Sequence, residues 1–249
     1  MSSVHISEES SPLTNTLSKF QFVCDDRDPS IPAPLPQPGF FLILVGQPSS
    51  GKTNLLLNLV GRRKRFYNRK FDRVFVFSPS LHTLAKNPFD RLPENQCFTD
   101  LTALDEVIAR ITHSYERVLL ILDDLVTSIK KNDQQVLRTI LNRRHLTGGP
   151  ATSIIITTQV YNKLPLELRK NASHLVLFDT KNRKEIAAIA EELIPLPKDS
   201  FEAVLRHVFT RRFEFLYLVL NQPASHMFYR KFNRLILEEN IDNTKMDVA

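Results

Sequence analysis

The sequence predicts an α/β fold in which a mainly parallel central sheet is flanked by helices. Its strand candidates are near-continuous apolar runs, which are typical of strands buried on both faces. Helix candidates alternate with these runs along the chain, as in a sheet built from crossover connections. In such sheets ligands bind beyond the carboxyl ends of the strands, so the residues that follow each apolar run are the first candidates for function.

The individual elements follow from the pattern of apolar residues and helix breakers. Strand candidates lie at residues 40–45, 73–79, 118–122, 153–158, 175–178 and 213–220, and a proline stops the second. Helix candidates lie at residues 54–60, 101–111, 132–144, 184–193, 201–208 and 229–239. The last would be amphipathic, with Phe232, Leu235 and Ile236 on its apolar side.

The composition divides the chain into three parts. Residues 1–38 are rich in Ser, Thr and Pro and are expected to form a flexible, extended tail, in which residues 20–23 could add a short strand to the core. Residues 39–222 are expected to form the core. Residues 223–249 are expected to form a C-terminal helix and tail.

Directly after the first strand candidate the chain reads G-x-x-x-x-G-K-T, a phosphate-binding loop followed by a helix. In this context backbone N–H groups and the helix N-terminus cradle phosphates. Lys52 would reach the β- and γ-phosphates, and the Thr53 hydroxyl would bind Mg²⁺. The predicted nucleotide-binding residues are Gly46, Gln47, Pro48, Ser49, Ser50, Gly51, Lys52 and Thr53.

Polar residues follow two further strand candidates. Asp123 and Asp124 end the strand at 118–122, where the first would hold Mg²⁺ and the second would polarise the attacking water. Alternatively, the two acids begin a turn or cap the next helix. Gln159 ends the strand at 153–158 and would contact the γ-phosphate or orient the water, unless it only bonds to neighbouring backbone.

Two arginines, Arg143 and Arg144, lie between these motifs. Paired arginines near a subunit boundary could supply an arginine that stabilises transition-state charge in a neighbour's site. The alternative is a solvated basic end of a helix, which the helix dipole favours. Spacing alone favours the second interpretation.

The bulk properties limit the classes of protein that remain. Beyond residue 38 the chain carries 31 of its 33 Lys and Arg but only 22 of its 27 Asp and Glu, a net charge of +9 that suits a polyanion such as DNA. The sequence contains no run of 18 or more apolar residues, so it predicts no membrane span, and the N-terminus lacks the pattern of a secretory signal. Cys24 and Cys97 have no metal-ligand spacing, which favours a reduced, intracellular setting.

Taken together, the loop at 46–53, the acids at 123–124 and the stretch from Arg144 to Gln159 resemble the poxvirus-type DNA packaging ATPases of the FtsK/HerA superfamily. The run Q-x-Y … L-P … R-x-N, at residues 159–171, is the specific part of this resemblance. The resemblance covers roughly residues 39–180. It implies an ASCE-type P-loop NTPase fold and an ATP-driven motor that moves double-stranded DNA into a capsid. It also implies a homo-oligomeric ring, capsid or virion-vertex partners, and a place at the virus assembly site or in the virion.

The resemblance assigns roles residue by residue. Lys52 and Thr53 match the family's nucleotide and Mg²⁺ ligands, Asp123 and Asp124 its metal-binding and water-activating acids, and Gln159 its sensor. Arg144 matches the trans-acting arginine, with Arg143 as the fallback, although the connection 146–152 is longer than usual. A small P-loop nucleoside or nucleotide kinase and a non-hydrolysing nucleotide-dependent binding module are the alternatives. The sensor glutamine argues against the kinase, and the intact loop and acids argue against the binding module.

Overall fold

The computed structural model describes residues 28–60, 66–67, 69–81, 89 and 92–237. Within these residues one sheet of nine strands forms the centre of the molecule. The strands are β1 (Phe41–Val45), β2 (Arg73–Phe77), β3 (Cys97–Phe98), β4 (Val118–Asp123), β5 (Ser153–Thr158), β6 (His174–Phe178), β7 (Phe215–Val219), β8 (Phe228–Arg230) and β9 (Asn233–Arg234).

Eight α-helices lie in the described part of the chain, and two short 3-10 turns, at Glu94–Gln96 and Tyr161–Lys163, accompany them. The helices are α1 (Lys52–Val60), α2 (Leu104–Ile111), α3 (Val126–Lys131), α4 (Asp133–Asn142), α5 (Leu166–Lys170), α6 (Arg183–Leu193), α7 (Lys198–Val208) and α8 (Ala224–Met227). None of the described helices is long and apolar enough to cross a membrane.

The sheet confirms the predicted mainly parallel architecture. Its strand order is β3-β2-β4-β5-β1-β6-β7-β8-β9. Strands β1 to β6 run parallel, whereas β7, β8 and β9 add to one side as antiparallel strands. The carboxyl ends of the parallel strands therefore meet on one side, called here the carboxyl end of the sheet. The opposite side, where β1, β5 and β6 begin, is called the amino end.

Strand β1 shows why these strands read as unbroken apolar runs. Phe41, Ile43 and Val45 enter the core on one face of the sheet, while Leu42 and Leu44 enter the core on the other. Helix α1 covers the second face, and most of the other long helices cover the first. Because both faces are covered, every residue of β1 is buried, and each apolar side chain contributes about 1.5–3 kcal/mol.

The prediction of a C-terminal helix at residues 229–239 is wrong for residues 229–237, the part of this range that the structure describes. The chain instead forms the hairpin β8–β9, in which Tyr229 lies opposite Tyr217 of β7. Phe232 contacts the rings of Phe215 and Tyr217, and such aromatic pairs between strands stabilise a sheet. Lys231, at the turn, has a φ of 54°, which a right-handed helix excludes.

The Pro-rich segment before β1 also differs from the prediction of a flexible tail up to residue 38. From residue 28 onward it packs against the second face of the sheet, where Ile31 and Leu35 are buried. The phenol of Tyr67 donates to the Pro36 carbonyl at 2.6 Å, and that of Tyr217 donates to the Pro34 carbonyl at 2.8 Å. The strand suggested at residues 20–23 lies outside the described residues, as does the rest of the tail.

Candidate functional site

The predicted phosphate-binding loop lies at the carboxyl end of the sheet, between β1 and α1. The Gly46 amide donates to the Thr158 carbonyl of β5 at 3.1 Å, and the Ser50 amide donates to Gln47 at 3.2 Å. Ser49 and Gly51 adopt φ angles of 60° and 108°. These left-handed residues turn the chain back on itself, so the loop curves around the N-terminus of α1 and can present its amides to an anion.

Both motif glycines are required, Gly46 by the space around it and Gly51 by its backbone conformation. A Cβ at Gly46 would lie 2.5 Å from the Ser50 Oγ and 2.9 Å from the Phe178 Cβ, closer than packing allows. At Gly51 the φ of 108° is strained for any residue with a side chain. The tight loop that the sequence motif predicts therefore depends on these two positions.

Lys52, the first residue of α1, directs its ammonium group into the loop. Its Nζ donates to the carbonyl of Gly46 and, at 3.1 Å, to that of Gln47. Burial lowers the pKa of Lys52, while the nearby carboxylates of Asp124 and Asp123 oppose that shift. A phosphate would give this cation a charged acceptor, which makes a stronger hydrogen bond than two neutral carbonyls.

The Ser50 hydroxyl shows that the loop fits a ligand with oxygen atoms. Its Oγ is buried and has no hydrogen-bond partner among the described residues. An unpaired buried polar group costs about 1–3 kcal/mol, so an oxygen acceptor bound in the loop would remove this cost. The residues present therefore fit a nucleotide phosphate chain.

Asp123, at the end of β4, is fixed by two hydroxyl groups. The Thr157 Oγ1 donates to its Oδ1 at 2.6 Å, and the Ser78 Oγ donates to its Oδ2 at 2.9 Å. Thr157 lies opposite Asp123 in the β4–β5 pairing, and Ser78 directly follows β2 on the other side. Sequence reasoning missed the roles of Ser78 and Thr157. Their position at strand ends was visible, but only the strand order places both beside β4.

Asp124 and Gln159 meet across the ends of β4 and β5. The Gln159 Nε2 donates to the Asp124 Oδ2 at 2.5 Å, and both side chains are exposed. The Asp124 amide in turn donates to the Thr157 Oγ1 at 3.0 Å, which holds the residue at a φ of 52°. This arrangement is more specific than a turn or a helix cap, since it joins the second acid to the predicted sensor amide.

The same end of the sheet offers ligands for a magnesium ion. Thr53 is exposed on the first turn of α1, and Asp123 is partly exposed at the end of β4. No cluster of three or more His, Cys, Asp or Glu in the described part of the chain could hold a metal by itself. Mg²⁺ commonly takes one or two protein ligands and completes its shell with phosphate oxygens and water, and Thr53 and Asp123 could be such ligands beside a bound nucleotide.

The residues that follow Gln159 form a structural clamp. Tyr161 is fully buried, its hydroxyl donates to Glu192 at 3.0 Å, and the Arg169 guanidinium lies 4.8 Å from the centre of its ring. Arg169 also forms an ion pair with Glu192. The tyrosine and arginine of the Q-x-Y … R-x-N run thus fix the chain just after Gln159 and are not exposed to a ligand.

Arg143 lies at the amino end of the sheet and is a structural residue. Its side chain is buried, its Nε donates to the Gly39 carbonyl at 3.1 Å, and its Nη1 donates to Ile140 at 2.8 Å. The Arg143 carbonyl accepts from the Thr152 amide at 2.8 Å, just before β5. This arginine is therefore committed to its own subunit, which removes it as the fallback for a trans-acting role.

Arg144 is exposed and lies on the opposite end of the sheet from the phosphate loop of its own chain. Strand β1, roughly 16 Å long, separates the two ends. The long connection after Arg144 returns to the same place, because Thr152 bonds to Arg143. Arg144 therefore stays at the start of β5 and cannot reach the nucleotide loop of its own subunit.

Comparisons with known proteins agree on the fold. The family model described as the NACHT domain matches residues 41–211. The genome packaging NTPase B204 from Sulfolobus turreted icosahedral virus 2, in complex with ATP-gammaS, is 17% identical with a TM-score of 0.51, over 74% of this chain and 94% of that chain. B204 from Sulfolobus turreted icosahedral virus, described as the DNA-packaging ATPase, is 16% identical with a TM-score of 0.52, over 77% and 96%. No curated protein sequence matches this chain. The predicted P-loop NTPase fold is thus confirmed.

Proposed function

This chain belongs to the NACHT domain family, and we propose that it is an ATP-driven motor that moves double-stranded DNA into a viral capsid. The observation that carries the proposal is the hydrogen bond between Gln159 and Asp124, beside Asp123 and near enough for both acids to act electrostatically on Lys52. A module that only binds nucleotide needs the loop and its lysine. A carboxylate hydrogen-bonded to an amide, with both groups exposed beside the loop, can position and deprotonate a water molecule, which hydrolysis needs and binding alone does not.

Each residue of the site has one step in the proposed reaction. Lys52 and the loop amides hold the β- and γ-phosphates and neutralise the charge that develops on them. Asp124 accepts a proton from the attacking water, and Gln159 keeps that carboxylate and the water in line with the γ-phosphorus. The water oxygen bonds to the γ-phosphorus as the bond to the β,γ-bridging oxygen breaks, and the products are ADP and inorganic phosphate. Mg²⁺, held by Thr53 and Asp123, supplies further charge neutralisation when it is bound.

The proposed partners follow from charge and from the fold neighbours. The net charge of +9 beyond residue 38 supports a polyanionic partner, and a motor that moves every sequence should contact phosphates more than base edges. Two of the solved structures similar to this chain are described as a genome packaging NTPase and a DNA-packaging ATPase. A homo-oligomeric ring at the virus assembly site or in the virion, docked on capsid or vertex proteins, completes the proposal.

A hydrolysis assay on the purified full chain tests this function. We expect ATP turnover that double-stranded DNA stimulates, and a DNA affinity that falls steeply with salt whatever the duplex sequence. Lys52→Ala should abolish turnover with the fold kept, whereas Lys131→Ala, which removes an exposed lysine elsewhere, should not. Transfer of phosphate to nucleosides or nucleotides would favour the kinase instead. DNA binding without turnover would favour a non-hydrolysing module, and turnover that ignores DNA would argue against a motor.

A further inference from the structure

A cavity of about 480 Å³ adjoins the phosphate loop on the side away from Asp123 and Asp124. One wall consists of loop residues 47–50, and the other is the segment 209–214, which connects α7 to β7. Phe178 and Asp179, at the end of β6, form its floor. None of the residues in 209–214 belongs to a motif that the sequence singled out, so this wall of the site is new.

Arg212 and Phe213 form a stacked pair on that wall. The Arg212 guanidinium carbon lies 4.7 Å from the centre of the Phe213 ring, and both side chains are exposed. Phe213 also adopts a φ of 66°, which is rare for an aromatic residue and costs free energy. The ring packs on the phosphate loop itself, because a Cβ at Gly51 would lie 3.4 Å from its Cδ1.

Ionic contacts from the C-terminal hairpin hold this strained segment in place. The Glu214 carboxylate, next to Phe213, is buried and accepts from the Arg230 Nε and forms an ion pair with Lys231, both at 3.1 Å. The Arg230 Nη2 also donates to the Thr210 Oγ1 at 2.8 Å. By contrast, no described residue forms a hydrogen bond or an ion pair with the guanidinium groups of Arg211 and Arg212, and the stack on Phe213 is the contact of Arg212. The segment is therefore fixed at its base, with its cations and its ring free to meet a ligand.

The direction of a bound nucleotide follows from the two sides of the loop. Asp123, Asp124 and Gln159 lie on the β4–β5 side, and they fix the γ-phosphate end there. The cavity lies on the β6–β7 side, where the other end of the bound nucleotide must leave the loop.

We propose that this cavity receives the ribose and base, and that the Arg212–Phe213 pair is the surface on which a purine base stacks. Guanidinium planes and aromatic rings both stack on bases. This inference rests on the proposed nucleotide binding.

Binding of two ligands by the full chain separates the base contact from the phosphate contacts. Titration calorimetry compares a non-hydrolysable ATP analogue with inorganic tripolyphosphate, which has the phosphates but no base. Phe213→Asn removes the ring and keeps a residue type that tolerates positive φ. We expect it to weaken the ATP analogue roughly 5- to 150-fold, the range of one stacked base, and to leave tripolyphosphate unchanged.

The matched control is Tyr115→Asn, which removes another exposed aromatic ring at a φ of 58°, packed beside Gly149 and away from the cavity. It should change neither affinity, and Phe213→Tyr should retain the binding of the ATP analogue. Equal loss of both ligands in Phe213→Asn, or no loss of either, would overturn the inference. If that variant does not fold, the wild-type chain decides, since it should bind ATP more tightly than UTP or tripolyphosphate. A wild-type chain that binds no ligand would instead contradict the proposed function.

Discussion

The two ends of the parallel sheet use their polar side chains in opposite ways. At the carboxyl end, the Ser50 hydroxyl has no partner, and Asp124 and Gln159 bond to each other while exposed to solvent. At the amino end, Arg143 and His174 are buried and hydrogen-bonded within the protein. One end keeps polar groups available for a ligand, whereas the other uses them to join β1, β5 and β6. Arg144 departs from this pattern, because it is exposed at the structural end.

The largest expected effect tests that exception. Under the proposed function, Arg144 acts on ATP bound by a neighbouring subunit, and such arginines contribute roughly 10³–10⁵ in rate. We expect Arg144→Ala and Lys52→Ala each to be inactive alone. When the two variants are mixed, an intact Lys52 site can meet an intact Arg144 from its neighbour, so partial ATPase activity should return.

As a control, the samples that mix Arg144→Ala and Lys52→Ala subunits are also tested for whether the two variants assemble together. Arg143→Ala serves as the comparison, because loss of its contacts to Gly39 and Ile140 should lower the free energy of unfolding, whereas Arg144→Ala should not. No recovery in demonstrated mixed assemblies would show that Arg144 does not act on a neighbour's nucleotide. That result would remove the functional distinction between the two arginines.

The carboxyl end contains a second, smaller contrast, between its two acids. Asp123 is fixed by Ser78 and Thr157, while Asp124 contacts Gln159. We therefore expect Asp123→Asn to weaken Mg²⁺-dependent nucleotide binding. Asp124→Asn should still bind MgATP but lose roughly 10²–10⁴ in hydrolysis rate, the range for general acid–base catalysis. Nucleotide affinity and single-turnover rates measure the two effects separately, and equal binding defects in both variants would contradict this division.

More of the residues and contacts at the carboxyl end of the sheet could be predicted from sequence than at the amino end. The loop at 46–53 directly follows the buried strand β1 and Asp123 is the last residue of β4, so local pattern alone places them at one end of a parallel sheet. The role of Ser78 depends on β2 lying next to β4, and the burial of Arg143 depends on the distant Gly39 carbonyl. Such contacts between segments far apart in the chain leave no periodicity.

The C-terminal hairpin was missed for a related reason. Phe232, Leu235 and Ile236 fit the spacing of an amphipathic helix, and a helix needs no distant partner. The contacts of Tyr229 and Phe232 with Tyr217 of β7 decide the structure instead. That hairpin then supplies Arg230 and Lys231 to Glu214, so the unpredicted part of the fold supports the unpredicted wall of the site.

The smallest expected effect concerns the structural end and its response to acid. Burial lowers the pKa of His174 from 6.5 to about 3, while its ring stacks on Tyr217 with the centres 5.8 Å apart. Between these two pH values the unfolded chain binds a proton that the folded chain does not, so the free energy of unfolding falls as the pH falls through this window. From pH 7 to pH 5 this one group should account for about 2 kcal/mol of the change in the free energy of unfolding.

His174→Phe should therefore flatten the pH dependence of the free energy of unfolding measured in urea. Ser173 keeps its bonds to Phe41, so the variant leaves no hydroxyl unpaired. A second cavity, at the amino end of the sheet, is lined by both His174 and the exposed His226. His226 gives the control, since His226→Gln should keep the wild-type slope. An unchanged slope in His174→Phe would show that other groups govern acid stability at this end of the sheet.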